Sequence, residues 1–132
     1  MPNRCALIVE DSPTMRQLIL FALRRIPGLS FIEAGNGAEA LELLRKQDVD
    51  IILLDLNMPV MSGFTFLERL QEIKEKKLPP VVVITTEGAV EDVERAHKLG
   101  AKSYVTKPVQ AVSLASTVSD VLERWSLEPA QG

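Results

Sequence analysis

Four apolar runs in this sequence lead directly into side chains that can bind a cation or transfer a group. Glu10 and Asp11 follow one run, Asp55 ends another, Thr85 ends a third, and Lys107 follows a fourth. Clustered carboxylates repel one another and favour a hard divalent cation. Mg²⁺ suits such a site because it takes one or two carboxylates together with water and phosphate oxygens. The residue types therefore indicate metal-assisted chemistry on a phosphoryl group.

Asp55 is the candidate for the covalent step. A carboxylate can attack a phosphoryl donor and form an aspartyl phosphate, and Asp55 follows the apolar run 51–54, which predicts a rigid strand buried on both faces. Mg²⁺ and Lys107 would stabilise charge on the transferring group, while the Thr85 hydroxyl would donate a hydrogen bond to a product oxygen.

Each of these residues also has an ordinary structural explanation. Asp55 could be a turn former after a strand. Glu10 and Asp11 could be an acid pair stabilised by the dipole of the following helix. Lys107 could be a surface lysine, and Thr85 could be a β-branched strand residue. If all five side chains lie close together in the folded chain, a site for metal-assisted phosphoryl chemistry is favoured over these separate structural explanations.

The elements that must position these residues alternate regularly along the chain. Five apolar runs read as strands, helical spacing follows each of them, and Gly, Pro, Asn and Ser mark the boundaries, with Ser12 as a helix N-cap. The predicted strands are 6–9, 31–34, 51–55, 81–85 and 103–106. The predicted helices run from 13 to about 26, from 37 to 46, from 62 to about 77, from about 90 to 99, and from about 112 to 125.

This alternation predicts a doubly wound α/β fold, a parallel sheet with helices on both faces. In the flavodoxin-like form of that fold, which we expect here, five parallel strands lie in the order 2-1-3-4-5 with five helices on the two faces of the sheet. The carboxyl ends of parallel strands share one edge, and ligands bind at that edge in open α/β sheets. The acids, the hydroxyl and the lysine would therefore meet at one shallow site.

The composition is that of an ordinary globular domain. The chain has 132 residues, 46% hydrophobic and 25% charged, and we expect one domain over 1–132 with a core from about 4 to 125 and a loose C-terminal tail. The net charge of −3 gives no general reason to bind nucleic acid or an anionic membrane. No apolar run approaches membrane length and no signal-peptide core is present, so we expect a cytoplasmic protein. Cys5 is expected to be a buried, reduced thiol, and Trp125 to anchor the last helix to the sheet.

Together the segments resemble those of a response-regulator receiver domain, in particular the CheY-like single-domain type. Each match alone is weak, but the matches occur in order across nearly the whole chain, each at the expected strand end. The set is therefore highly specific. The matching segments are 9–16 (Val-Glu-Asp-Ser-Pro-Thr-Met-Arg), 55–59 (Asp-Leu-Asn-Met-Pro) with Gly63, 85–87 (Thr-Thr-Glu), Tyr104, and Lys107 with Pro108.

The resemblance implies a role for each residue of the site. Asp55 would accept a phosphoryl group from a sensor histidine kinase. Asp11 and Asp55 would bind Mg²⁺ through carboxylates, Asn57 through its backbone carbonyl, and Glu10 through a bound water. Lys107 would pair with the phosphoryl group. The protein would be a signalling phosphoacceptor rather than an enzyme, with self-phosphorylation from small phosphodonors and autodephosphorylation.

The resemblance also implies a switch. Thr85 would move to bond the phosphoryl group, and the Tyr104 ring would then turn inward. This change would alter the face made by the fourth helix, fifth strand and fifth helix, where a downstream protein target would bind to a monomer or weak dimer. Chemotaxis or motility is the implied setting. The face is expected around Val90, Val93, Tyr104, Thr106 and Val109.

Three further features follow from the same resemblance. Asn57 and Glu87 match residues that influence phosphoryl lifetime, and the peptide bond between Lys107 and Pro108 would be cis. For Tyr104 a static role in the core is the alternative, and for Pro108 a simple turn.

Four residues depart from the family pattern. Glu10 replaces the commoner aspartate and adds one methylene, with Mg²⁺ binding expected to survive. Thr86 is bulkier than the residue usual at its position and is expected to slow access of the phosphoryl group or to restrict Tyr104. Leu56 stands where tryptophan is often found, and Val109 where phenylalanine is frequent, which would change the partner surface.

Three other functions stay open at this point. A phosphate-independent interaction module could keep the fold, although the intact acids and Lys107 argue against it. An aspartyl-phosphate phosphatase using Asp55 usually needs a second carboxylate two residues on, where this chain has Asn57. The chain could also be the receiver fragment of a larger regulator.

Overall fold

The computed structural model describes residues 3–58, 61–73, 78–86 and 89–125. Its sheet has five parallel strands in the order β2-β1-β3-β4-β5, so the flavodoxin-like topology predicted from the sequence is confirmed. The strands are β1 (Arg4–Val9), β2 (Leu29–Ala34), β3 (Ile51–Asp55), β4 (Val81–Thr86) and β5 (Ser103–Lys107).

Five helices follow the strands one by one, as predicted. Side-chain caps start three of them: Ser12 Oγ accepts from Met15 N at 3.2 Å, and Asn36 and Ser62 do the same for the second and third helices. Such caps satisfy backbone donors that have no partner within the helix. The helices are α1 (Pro13–Leu23), α2 (Gly37–Lys46), α3 (Gly63–Gln71), α4 (Val90–Lys98) and α5 (Ala111–Arg124).

The core consists of two apolar layers, one on each face of the sheet. Successive strand residues point to opposite faces. Ala6 and Ile8 therefore pack in the layer under α1 and α5, while Leu7 and Val9 pack in the layer under α2, α3 and α4. Every residue of β3 is buried. This burial holds Asp55, the last residue of β3, on a strand fixed from both sides.

Among the described residues, helix α4 is less deeply buried than the other helices, because Ala96 is the one residue of α4 that is buried. The guanidinium carbon of Arg95 lies 4.2 Å from the ring centroid of Phe64 on α3. Gln71 Nε2 donates to the Leu99 carbonyl at 3.1 Å, just beyond the end of α4. No side chain of the described residues caps its N-terminus at Ala89. Surface contacts, rather than deep burial, hold α4 in place.

Several details differ from the sequence-based predictions. Helix α1 ends at Leu23 rather than near 26, and β2 begins at Leu29 rather than 31. Cys5 is only partly buried. Trp125 does not anchor α5 to the sheet: it is 44% exposed and its ring centroid lies 4.4 Å from Lys102 Nζ.

The predicted solvated end of the third helix, 74–77, and the predicted tail, 128–132, lie outside the described residues. Within the part of the chain that is described, no helix is long and apolar enough to span a bilayer.

Candidate metal centre

The carboxylate of Asp55 lies at the carboxyl edge of the sheet and is 2% exposed. Its Oδ1 accepts a hydrogen bond from the backbone N–H of Asn57 at 3.0 Å. Lys107 Nζ, at the end of β5, lies 3.4 Å from both Oδ1 and Oδ2. A buried carboxylate needs partners of this kind to remain charged, and the distance of 3.4 Å means that its oxygens are only loosely paired with the ammonium.

Two further carboxylates meet Asp55. Glu10 and Asp11 follow β1, which pairs with β3 so that Val9 lies opposite Leu54. One carboxylate oxygen from each of the three acids lies within 4.8 Å of the others. The structure therefore brings Asp55 beside Glu10 and Asp11, which are adjacent to each other but distant from it in the sequence.

The side chain of Glu10 is enclosed and only half satisfied. It is 1% exposed, and Oε2 accepts from Ser12 N at 3.1 Å. Its other oxygen, Oε1, has no hydrogen-bond partner among the described residues. A buried acceptor without a partner is unfavourable, so a cation or its bound water would supply the missing interaction.

The pKa of Glu10 reflects the same enclosure. The pKa of Glu10 is raised to about 7, first by burial and then by the neighbouring carboxylate of Asp55, against the lowering effects of the Ser12 N–H and of Lys107. Without metal, the proton that Glu10 holds near neutral pH relieves part of the repulsion among the acids. The donor set of three carboxylates with one orphaned oxygen fits a hard divalent cation such as Mg²⁺.

Thr85 and Lys107 reach the same edge from neighbouring strands. Thr85 on β4 is 1% exposed, and its Oγ1 has no hydrogen-bond partner among the described residues. Thr86 is exposed and lies opposite Lys107 in the β4–β5 register. The peptide bond between Lys107 and Pro108 is cis. The hydroxyl of Thr85 is thus free to take a new acceptor.

Gly63 fixes the loop that follows Asp55. A Cβ atom at Gly63 would lie 2.7 Å from the Cα of Leu56 and 3.0 Å from the carbonyl oxygen of Asp55. The Gly63 N–H donates to the carbonyl of Leu56 at 3.1 Å. The absence of a side chain therefore lets the start of α3 pack directly on the backbone beside the candidate nucleophile.

Two residues of the expected switch face occupy different environments. The Tyr104 side chain is 51% exposed, and it borders a groove of about 340 Å³ shared with Thr106, Pro108 and Gln110. Val109 is buried in the layer under α1 and α5. The prediction that Val109 contributes to a partner surface was therefore wrong, because its side chain fills the core instead.

The remaining predicted site residues are described only in part. Asn57 is exposed and contacts Asp55 through its backbone N–H. Glu87, predicted to influence phosphoryl lifetime, lies outside the described residues.

The sequence analysis included Arg16 only as part of a matching segment and predicted none of its contacts. Its Nη1 donates to the carbonyl of Glu10 at 2.7 Å and its Nε lies 3.1 Å from Glu33 Oε1. Its contacts could have been suspected from one feature of the sequence: an arginine lies near the start of a helix that directly follows two acids.

A parallel five-stranded sheet with three acids, a threonine and a lysine at its carboxyl edge defines a receiver-type protein. The family model of the response regulator receiver domain matches residues 6–119. The chain belongs to this family.

Two relatives of similar length are chemotaxis proteins. The chain is 37% identical over 125 residues to the chemotaxis protein CheY homolog of Campylobacter jejuni, covering 94% of this chain and 96% of the relative. It is 35% identical over 122 residues to chemotaxis protein CheY-3 of Vibrio cholerae, covering 92% and 94%. The solved structure of the chemotaxis response regulator CheY4 of Vibrio cholerae matches with a TM-score of 0.82 and 32% identity, over 91% of this chain and 99% of that one.

Proposed function

We propose that this receiver domain is a phosphoacceptor in which Asp55 takes a phosphoryl group from a sensor histidine kinase in a Mg²⁺-dependent reaction. One observation carries the proposal: the carboxylate oxygens of Glu10, Asp11 and Asp55 lie within 4.8 Å of one another, beside the ammonium of Lys107. A phosphoryl group would be strongly repelled by three carboxylates alone, so the site requires a cation together with the lysine.

The residues would divide the work as follows. Asp11 and Asp55 would hold Mg²⁺ through their carboxylates, Asn57 through its backbone carbonyl, and Glu10 through water. Bound Mg²⁺ supplies positive charge for the oxygens of the transferring group. Asp55 attacks phosphorus, the bond between phosphorus and the donor's nitrogen breaks, and the leaving imidazole takes a proton. The buried strand β3 holds the attacking oxygen in a fixed orientation.

Lys107 and Thr85 would act on the product. The ammonium already faces both oxygens of Asp55 at 3.4 Å, so it can pair with the phosphoryl group without crossing the site. The unpartnered hydroxyl of Thr85 would donate to a phosphoryl oxygen.

Movement of Thr85 would change the face formed by α4, β5 and α5. Tyr104 is on β5, two residues before Thr106, which lies opposite Thr85, and its ring is half exposed before phosphorylation. An inward turn of this ring would reshape the groove beside Thr106 and Gln110. A downstream protein target would read this face at Val90, Val93, Tyr104 and Thr106. Asn57 and Glu87 would tune the phosphoryl lifetime.

The setting that we propose is two-component signalling in chemotaxis or motility, with a cytoplasmic location. The support is the similarity to the CheY proteins named above, which extends over nearly the full length of both chains.

Intact mass spectrometry after incubation with acetyl phosphate tests the proposal. Wild-type protein should gain one phosphoryl group when Mg²⁺ is present and none in excess EDTA. Asp55→Asn should gain none, whereas the control Asp120→Asn, which alters an exposed ion pair with Arg124 on α5, should behave as wild type. A gain of one phosphoryl group by Asp55→Asn, equal to that of wild type, would overturn the assignment of Asp55 as the phosphoacceptor.

A further inference from the structure

Arg16 joins the acid pair to two other elements of the fold. It lies near the start of α1, and its guanidinium reaches in two directions. Nη1 donates to the backbone carbonyl of Glu10 at 2.7 Å, and Nε lies 3.1 Å from Oε1 of Glu33 on β2. The Arg16 side chain is largely covered, whereas that of Glu33 is more exposed. One planar group thereby fastens the end of β1 to both α1 and β2.

The backbone of Glu10 is consequently held on both sides. Its N–H donates to the carbonyl of Ala34 at 3.0 Å, and its carbonyl accepts from Arg16. The carbonyl of Glu10 belongs to the same peptide plane as the N–H of Asp11, so fixing it limits the rotation of that plane. The direction in which the Asp11 side chain leaves the backbone is limited in turn.

We infer that Arg16 is a positioning residue for the metal centre. The guanidinium contacts the backbone carbonyl of Glu10 and the carboxylate of Glu33, neither of which is a proposed Mg²⁺ ligand. Its role is to orient the peptide that joins Glu10 to Asp11, the two residues whose carboxylates extend into the site. Groups behind the ligands commonly control metal affinity because they hold the ligands in place. This inference rests on the proposed function, since it presupposes that the three acids bind Mg²⁺.

Whether Mg²⁺ affinity rises or falls on loss of Arg16 distinguishes a positioning role from a purely electrostatic one. A positive charge close to the acids repels a cation, so loss of that charge alone would tighten Mg²⁺ binding. Glu33 neutralises much of the charge at 3.1 Å. If Arg16 acts by orienting the peptide, its loss instead weakens Mg²⁺ binding.

Arg16→Lys is the most informative variant. Lysine keeps the charge but replaces the planar fork by a single ammonium, which cannot hold the Glu10 carbonyl and Glu33 in the same geometry. Glu33→Gln keeps Arg16 and removes only the ion pair that orients its guanidinium. Arg45→Lys is the matched control, because Arg45 forms a similar 3.1 Å ion pair with Glu42 in the last turn of α2.

The experiment measures the dissociation constant of Mg²⁺ by calorimetry for each folded protein. Thermal unfolding in EDTA establishes that each variant is folded. We expect Mg²⁺ affinity to fall about 10-fold or more in Arg16→Lys and in Arg16→Gln, to fall less in Glu33→Gln, and to stay unchanged in Arg45→Lys. Phosphorylation by acetyl phosphate should need correspondingly more Mg²⁺ for half saturation, with a nearly wild-type rate once Mg²⁺ saturates the site.

Two results would overturn the inference while leaving the proposed function intact: an Arg16→Lys affinity within twofold of wild type, or tighter binding by Arg16→Gln. Failure of wild-type protein to bind Mg²⁺ would overturn both. If neither Arg16 variant folds, Glu33→Gln decides the matter, because an unchanged Mg²⁺ affinity there would exclude an oriented guanidinium as the cause.

Discussion

The ammonium of Lys107 lies 3.4 Å from each carboxylate oxygen of Asp55, although the two residues are 52 positions apart in the chain. Neither oxygen is tightly paired at this distance, because charge-assisted hydrogen bonds are usually ~2.8 Å long. In the proposed reaction, one oxygen would therefore leave the lysine and attack phosphorus, while the ammonium would remain close to the incoming phosphoryl group. The arrangement favours a lysine that responds to phosphorylation over one that merely neutralises the aspartate.

Removal of this ammonium should separate phosphorylation from the switch. We expect Lys107→Ala to gain a phosphoryl group at Asp55 more slowly, but to show no change in amide hydrogen exchange across β5 and α5 on phosphorylation. Such a switch typically couples its sites by about 1–3 kcal/mol. Lys46→Ala, at the end of α2, is the control. A wild-type exchange response in Lys107→Ala would exclude this role.

The raised pKa of Glu10 predicts how stability depends on pH. In the unfolded chain the pKa is 4.5, and in the folded chain it is about 7, so the folded state holds the proton more tightly. The resulting stabilisation is complete below the unfolded value and is lost as pH rises through about 7. In EDTA the free energy of unfolding should fall by on the order of 1–3 kcal/mol across this range. Urea titrations of wild type and Glu10→Gln test this, and the variant should show a flatter profile.

Mg²⁺ binding should show the opposite dependence on pH. A cation competes with the proton on Glu10, so Mg²⁺ affinity should rise as pH increases through about 7, and binding should release protons. Calorimetry in buffers of different ionisation enthalpy measures both quantities. Glu10→Gln should lose most of the pH dependence, whereas the exposed Glu42→Gln should retain it. A wild-type affinity that is the same at pH 6 and pH 8 would contradict this linkage.

The unpartnered hydroxyl of Thr85 predicts an unusual pair of effects. Replacing a buried, unsatisfied polar group by an apolar one of the same shape can stabilise a protein, so Thr85→Val should raise the free energy of unfolding of unphosphorylated protein by about 1 kcal/mol. The same variant should lose the change in hydrogen exchange at β5 on phosphorylation. Thr85→Ser retains the hydroxyl and should retain the response. Destabilisation by Thr85→Val would indicate a hydroxyl that is satisfied in solution.

The tight packing at Gly63 predicts a position-specific loss of stability. Gly63→Ala would place a Cβ 2.7 Å from backbone of Leu56, which must shift, and we expect a loss of about 1–3 kcal/mol. Gly35→Ala is the matched control, because the nearest atom to its Cβ would be 3.5 Å away at Glu39 Oε1. Urea unfolding compares the two. Equal stability of the two variants would show that the loop after Asp55 adapts easily.

The sequence predicted the convergence of the site for one physical reason, whereas the strand order came from the flavodoxin-like type of fold expected for the chain. Runs such as 51–54 are too apolar to be anything but buried, and polar residues directly after them must lie at the edge of the sheet. Periodicity does not report how fully a side chain is covered. Trp125 and Val109 were therefore placed wrongly, since the first lies at the end of α5 beside Lys102 and the second fills space under α1.

The contacts of Arg16 were also beyond prediction from sequence. Of its two partners, Glu10 directly follows β1 and Glu33 lies on β2, so their approach depends on the register of β1 with β2. Local spacing contains no information about that distance.

The small buried surface of α4 has a consequence for how the protein can change by mutation. A helix that buries one alanine can accept substitutions at its outward positions with little loss of folding free energy, because surface changes are usually nearly neutral. Under the proposed function, receiver domains that share one phosphorylation chemistry would keep their signals apart through their surfaces. Substitutions along α4 would then change the choice of partner and leave the acids at the edge of the sheet unaltered.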